Sequence, residues 1–152
     1  KFLDMQTKII LNNNGTIDKY MGDCIMSFWN APLDCPDHAE MAVKSAEEIL
    51  IATKELNEEL KPLGLPPINV GIGINTGECI VGNMGSELRF DYSVIGDAVN
   101  LGARLEGQTR NYDGVDVLLG EATYRQCPSR AFSEVDRILV KGKSEPVTVY
   151  TI

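Results

Sequence analysis

The strongest constraint on the fold is a long amphipathic run between residues 38 and 60. Ala42, Val43, Ala46, Ile49, Leu50, Thr53, Leu56 and Leu60 recur at steps of three and four, with Lys and Glu on the opposite face. That spacing predicts a helix whose single apolar stripe must be covered by another layer. Asp37 followed three residues later by Glu40 predicts a capped start, and Pro62 and Gly64 predict the end. The flanking segments obey a different period. Residues 16–20 and 24–29 are rich in β-branched and aromatic residues, and Met21-Gly22-Asp23 joins them tightly, as in a hairpin. Residues 68–74 alternate with period two, Asn75-Thr76-Gly77-Glu78 predicts a turn, and Cys79-Ile80-Val81 a returning strand.

The remaining elements follow by the same rules. Phe2, Met5, Ile9 and Ile10 sit at helical spacing, and Asn12-Asn13-Asn14-Gly15 stops that helix through residues that tolerate the left-handed conformation. A polar loop over 83–90 precedes a short strand at 92–95. Gly96-Asp97 then opens a helix to about Thr109, with Asp97 as N-cap and Val99, Leu101 and Leu105 inward. Strands at 115–119, 132–140 and 146–152 and a short helix at 121–126 complete the order αββαβββαβαββ. Repeats, linkers and low-complexity runs are absent from the sequence, so the expectation is a single α+β domain over 1–152, helices packed on a mostly antiparallel sheet. The first helix begins without a cap or a preceding strand, which predicts that the sequence is cut from a longer chain.

Composition narrows the functional classes. At 152 residues, 43% hydrophobic and 24% charged, the chain suits one globular domain able to bury a core. Apolar residues recur along the whole length, against disorder. No stretch approaches the ~18 apolar residues of a membrane span, and no signal-peptide pattern opens the chain, so a cytoplasmic, non-inserted domain is expected, any membrane tether of the parent being left to an upstream module. Fourteen basic against 22 acidic residues give a formal charge of −8. A nucleic-acid binder needs a basic footprint, so no nucleic-acid partner is expected; a small anionic ligand stays open because a metal ion or a few Lys and Arg act locally. Cys24, Cys35, Cys79 and Cys127 are widely spaced and His38 is the single histidine, a pattern unlike a zinc site or a disulfide framework. They read as reduced, mostly packed thiols.

Several short motifs carry chemistry. Gly71-Ile72-Gly73 lies within a strand pattern and opens no helix, so it marks a close approach of backbone layers rather than a phosphate loop. In Lys19-Tyr20-Met21-Gly22-Asp23 the hairpin tip offers Asp23 to solvent, where a carboxylate is a usable Mg²⁺ ligand, although turns select Gly and Asp for their own sake. Asn100 and Arg104, four apart, share one helix face and suit a ribose and a phosphate, which an ordinary polar face would also explain. Lys141 and Lys143 flank a flexible turn, where lysines usually do no more than solvate a loop.

Taken together and in order, Gly15-Thr16-Ile17-Asp18-Lys19-Tyr20-Met21-Gly22-Asp23, Gly73-Ile74-Asn75-Thr76-Gly77, Gly82-Asn83-Met84-Gly85, the run from Tyr92-Ser93-Val94-Ile95-Gly96-Asp97 through Asn100 and Arg104 to Glu106, and Val140-Lys141-Gly142-Lys143 closely resemble the class III nucleotidyl cyclases, in particular bacterial adenylate cyclase catalytic domains. The resemblance covers essentially the whole chain. It implies a ferredoxin-like α+β fold that pairs head to tail as a homodimer, with active sites between protomers, and conversion of ATP to 3′,5′-cyclic AMP and pyrophosphate. By motif position, Asp23 is a metal-binding aspartate, Lys19 and Ser93 read the purine, Asn100 orients the ribose, Arg104 stabilises the transition state and Lys141 binds phosphate. Lys with Ser places the chain in the Ser/Thr-bearing adenylate subgroup, whereas guanylate cyclases commonly carry Glu and Cys. Two Mg²⁺ or Mn²⁺ ions are implied, about 3.5–4 Å apart.

One departure stands out. The family's first strand, with its other metal-binding Asp, is missing before Lys1, and neither Asp4 nor Asp18 matches it by position. The 152-residue stretch alone is therefore expected not to cyclise ATP. A degenerate cyclase homologue used for dimerisation or regulation, and a guanylate cyclase, are the competing readings. Retention of Lys19, Asp23, Asn100, Arg104 and Lys141 counts against the first. An unrelated ferredoxin-like RNA-binding module is disfavoured by acidity and by the lack of strand aromatics.

Overall fold

The computed structural model describes residues 2–31, 33–83, 92–139 and 145–152, with backbone alone at 83, 92 and 93. The chain forms two compact units, Lys1–Val70 and Gly71–Ile152.

In the first unit, α1 (Phe2–Asn12) leads into an antiparallel hairpin of β1 (Thr16–Met21) and β2 (Cys24–Phe28), followed by α2 (His38–Leu60). Asn14 ends α1 in the left-handed region at φ 69°, as the Asn-Gly run predicts. Gly15 is required by packing: a Cβ there would lie 2.5 Å from Ile10 Cγ2 and 2.9 Å from Trp29 Cε2. The α2 stripe buries Ala42, Val43, Ala46 and Ile49, and Ile10 and Phe28 are buried in the same unit. A buried polar junction joins the pieces. Asn13 donates to the Glu48 carboxylate (2.6 Å) and to Ile9 O (3.0 Å), while the Trp29 indole donates to Asn13 O (2.8 Å). Asp37 is the residue before α2 as expected, but its carboxylate makes no capping bond; it accepts instead from the Cys35 thiol at 3.4 Å. Burial and that carboxylate push the buried Cys35 thiol above its ordinary value, which suits an inert packed cysteine. Among the described residues, which include all four cysteines, no disulfide forms.

The strand expected over 68–74 is shorter than its pattern. Ile68 has its N–H and C=O taken by the Asn57 side chain (2.7 and 2.9 Å), which leaves neither group for a ladder. Regular pairing begins only at β3 (Ile72–Ile74) in the second unit.

That unit continues with β4 (Ile80–Asn83), β5 (Tyr92–Ile95), α3 (Asp97–Gln108), β6 (Val117–Gly120), α4 (Glu121–Arg125), β7 (Ser133–Ile138) and β8 (Val147–Thr151). The element order is the one the periodicities predict. Pairing differs in one place: the strand after the 75–78 turn does not return along β3. Instead β4 pairs antiparallel with β5, and β3 pairs parallel with β6 in a four-stranded sheet of order β3-β6-β8-β7. The expected mostly antiparallel character holds, since β6–β8 and β7–β8 are antiparallel. All four residues of β6 are buried, as an interior strand requires. Leu105, Leu118 and Val149 form the core, packed by Leu101, Tyr112, Val115, Val135, Ile138 and Val147. The loop expected over 83–90, from 84 on, and the turn at 140–143 lie outside the described residues. Among the described residues no helix is long and apolar enough to cross a membrane.

One pair ties β7 to the loop after α3. The Tyr112 hydroxyl donates to Asp136 Oδ2 at 2.7 Å, and Arg137 N–H donates to Oδ1 at 2.7 Å. The Tyr112 bond, then the Arg137 amide, holds the Asp136 carboxyl below its ordinary 3.8, and the same contact raises Tyr112 above 10.0. A depressed carboxyl pKa stabilises the fold above its unfolded value and loses that effect as pH falls through the folded one; a raised Tyr pKa loses its effect as pH rises through it. Tyr112→Phe should therefore lower the melting temperature at pH 7, with the difference from wild type vanishing well below pH 3.8. Thermal melts of both proteins across acid pH read this directly.

Candidate active site

The hairpin tip is built by a two-residue turn. Met21 pairs with Cys24, so Gly22 and Asp23 alone make the reversal, and Gly22 adopts φ 65°, which a residue with a side chain resists. Asp23 is thereby presented to solvent, and Lys19, four residues back on β1, is also exposed. Among the described residues neither side chain has a hydrogen-bond or ion-pair partner. A solvent-facing, unengaged carboxylate is a suitable hard-oxygen ligand for Mg²⁺, which takes one or two carboxylates and completes its shell with phosphate oxygens and water. Among the described residues no three His, Cys, Asp or Glu side chains converge, so Asp23 would contribute a single carboxylate.

The second constellation rides on α3. Gly96, not Asp97, is the N-cap: its carbonyl accepts from both Val99 N–H and Asn100 N–H at 3.1 Å, which already places Asp97 inside the helix. Asp97 remains favourable there, a carboxylate in the first turn at the positive end of the dipole. Leu105 is fully buried and Leu101 half-buried, and this fixes the helix rotation. Asn100 and Arg104, each one residue round from that stripe, are exposed. Among the described residues Arg104 has no acidic partner, whereas Arg110 pairs with Glu106 (3.5 Å) and Arg125 with Glu121 (3.0 Å).

Two features seat the helix. A Cβ at Gly73 would collide with Gly102 O and Glu106 N of α3, so the glycine in β3 allows direct backbone contact. Asn75, just after β3, donates from Nδ2 to Ala98 O at 3.0 Å and clamps the first turn. Sequence reasoning treats Asn75 only as a turn residue; its position two residues after a strand glycine is the signal that was available. Thr76 and Thr123 hydroxyls, 2.7 Å apart, fasten the same loop to α4.

An open pocket of ≈310 Å³ lies beside the loop after β3, with Leu101, Leu105 and Val149 at its apolar side and Glu78, Asp97 and Glu121 among its lining. Three carboxylates repel a polyphosphate, so this pocket is not suited to a nucleotide. The purine-reading candidate Ser93 lies on β5 opposite Gly82, on the strand that runs through Gly96 into α3; its side chain is outside the described atoms. Lys141 is outside the described residues altogether. The structure thus brings Lys19 together with Asp23 on one hairpin, and Asn100 with Arg104 on one helix face.

A family model of the adenylate and guanylate cyclase catalytic domain matches residues 7–152. The chain belongs to that family. An adenylate cyclase of Anabaena cylindrica is 38% identical over 156 residues, covering 99% of this chain and 30% of that protein. Among solved structures, the adenylyl cyclase CyaB from P. aeruginosa superposes with TM-score 0.88 at 34% identity, covering 99% of this chain and 77% of the other. The guanylyl cyclase Cya2 superposes with TM-score 0.85 at 35% identity, covering 99% and 75%. The fold is therefore that of the class III cyclases. The chain spans less than a third of the length of the curated relatives it matches.

For this cyclase domain the Asn75 clamp makes a specific expectation. Asn75→Ala should loosen the first turn of α3 while leaving the buried Leu105 end protected. Amide hydrogen exchange should speed up at 98–101 by about fivefold, the order of one lost net hydrogen bond, with little change at 104–108.

Proposed function

We propose that the chain is the catalytic domain of an adenylate cyclase, with both units parts of one domain, and that it converts ATP to 3′,5′-cyclic AMP and pyrophosphate. The family match, which runs across both units, supports a cyclase. The observation that carries the substrate choice is Lys19, an exposed ammonium on the hairpin with no described partner. An ammonium only donates; adenine N1 accepts, whereas guanine N1 carries a hydrogen. Ser93, as the second purine-reading position, supplies a hydroxyl for the exocyclic group.

In the reaction the 3′-oxygen attacks the α-phosphorus in line. The bond from that phosphorus to the β-bridging oxygen breaks, pyrophosphate leaves, and the 3′-hydroxyl proton passes to solvent. Asn100 orients the ribose so that the attack is aligned, an entropic contribution. Arg104 donates in fork geometry to the phosphoryl oxygens as charge builds on them, and Lys141 holds the phosphate tail. Asp23 would hold Mg²⁺ or Mn²⁺, and bound metal supplies charge neutralisation of the phosphates and a lowered pKa for the attacking hydroxyl.

In this reading a site takes the Asp23 hairpin carboxylate from one copy of the chain and the Asn100 and Arg104 face of α3 from a second. Ile80 and Ile95, register partners on β4 and β5, are 70% and 53% exposed, an apolar pair that suits burial against such a partner.

Arg104→Ala in the full-length protein should lower kcat on the order of 10²-fold or more with KM little changed, the signature of a contact made in the transition state. Asp23→Ala should abolish metal-dependent turnover altogether. Steady-state cyclic AMP production reads both, and unchanged rates would remove these residues from the site. The similarity to a guanylyl cyclase gives the alternative substrate. Lys19→Glu with Ser93→Cys should erode the preference for ATP over GTP, and a wild-type protein that prefers GTP would favour guanylate cyclase instead.

A further inference from the structure

The β1–β2 ladder slips by one residue at Asp18. Ile17 pairs with Ser27, yet Lys19 pairs with Met26, Tyr20 with Ile25 and Met21 with Cys24. Asp18 is the extra residue of a β-bulge, and such a bulge exchanges the faces taken by every side chain after it. Without it Lys19 would share the face of Ile17. With it, Tyr20 joins Ile17, Ile25 and Ser27, while Lys19 moves to the opposite face with Thr16 and Met26.

Tyr20 is held from outside the hairpin. Its hydroxyl lies 2.9 Å from Thr7 Oγ1 on α1, and Thr7 Oγ1 donates to Leu3 O at 2.8 Å. Thr7 has one hydroxyl hydrogen and spends it on Leu3, so the Tyr20 hydroxyl is the donor to Thr7. The bond crosses from a helix to a two-stranded ribbon, the kind of element that is marginal alone and free to twist. Because Tyr20 and Lys19 are adjacent on opposite faces, fixing the ring against α1 fixes the direction of the ammonium away from α1.

We propose that Thr7 and Tyr20 are positioning residues for Lys19: with the Asp18 bulge, their hydrogen bond holds the Lys19 ammonium on the face where it selects the purine. The proposal rests on Lys19 as a purine reader, and its test separates the two ideas. In the full-length protein, kcat/KM is measured for ATP and for GTP in wild type, Thr7→Val, Tyr20→Phe, the double variant and Thr7→Ser, with melting temperatures alongside. Each of Thr7→Val and Tyr20→Phe should lower the ATP-to-GTP ratio about fivefold, the order of one net hydrogen bond. The double variant should fall no further, and Thr7→Ser, which keeps the hydroxyl, should match wild type. A purely structural role would shift melting, or the turnover of both nucleotides equally, and leave the ratio unmoved. An unmoved ratio in a protein that cyclises ATP overturns the proposal and leaves the function standing, and additive losses overturn the pairing. A wild type that makes no cyclic nucleotide, or whose ratio is insensitive to Lys19→Glu, overturns the underlying reading.

Discussion

Helix α3 reaches its sheet only because β3 carries a hydrogen where other residues carry a side chain. At Gly73 the backbone of the helix, at Gly102 and Glu106, lies where a Cβ would be. That contact sets the height of the helix, and the burial of Leu105 sets its rotation. Once both are fixed, helical geometry leaves Asn100 and Arg104 no choice but the outer face, four residues and one turn apart. A side chain at 73 would push the helix off its sheet, and the role proposed for Arg104, a guanidinium meeting developing charge, would be intolerant of such a shift.

The hairpin solves the complementary problem of presenting charge without a core around it. Lys19 and Asp23 are exposed, so packing does not hold them. Their directions are set by backbone features: a positive-φ glycine that places Asp23 in the turn, and a one-residue slip that decides the face of Lys19. Backbone devices suit such positions because they constrain direction without removing the side chain from water, where it stays open to a ligand.

Much of this was legible beforehand because it rests on period and punctuation. The 3.6-residue stripe of α2, the Asn-Gly stop after α1 and the Gly22-Asp23 turn are local, and local signals survive into the fold. The failures came where a group outside the local pattern took the bond, in some cases distant in sequence and in the helix caps only one or two residues away. Residues 68–70 alternate as a strand should, but the Asn57 amide from α2 takes both backbone groups of Ile68. The strand after the 75–78 turn pairs with β5 rather than returning along β3, because no feature of a turn tells which edge its exit strand will find. Asp97 has every property of an N-cap, yet the Gly96 carbonyl accepts the first helical bonds one residue earlier. For the site, the residue types and their spacing were readable; the Asn75 clamp and the Thr7–Tyr20 bond were not, since each joins groups 13 or more residues apart.

Acidity is the remaining constraint, and it works for the proposed chemistry. A chain of net charge −8 meeting a substrate of the same sign gains nothing from long-range steering. Attraction must come from a few cations left unneutralised by their own neighbours. Among the described residues, Arg110 and Arg125 are paired with a glutamate one turn away, while Lys8, Lys19, Lys44, Lys54, Lys61, Arg104 and Arg137 are not, so Arg104 and Lys19 are available without being the sole free cations. The acidic lining of the pocket beside β3 makes that cavity hostile to a polyphosphate.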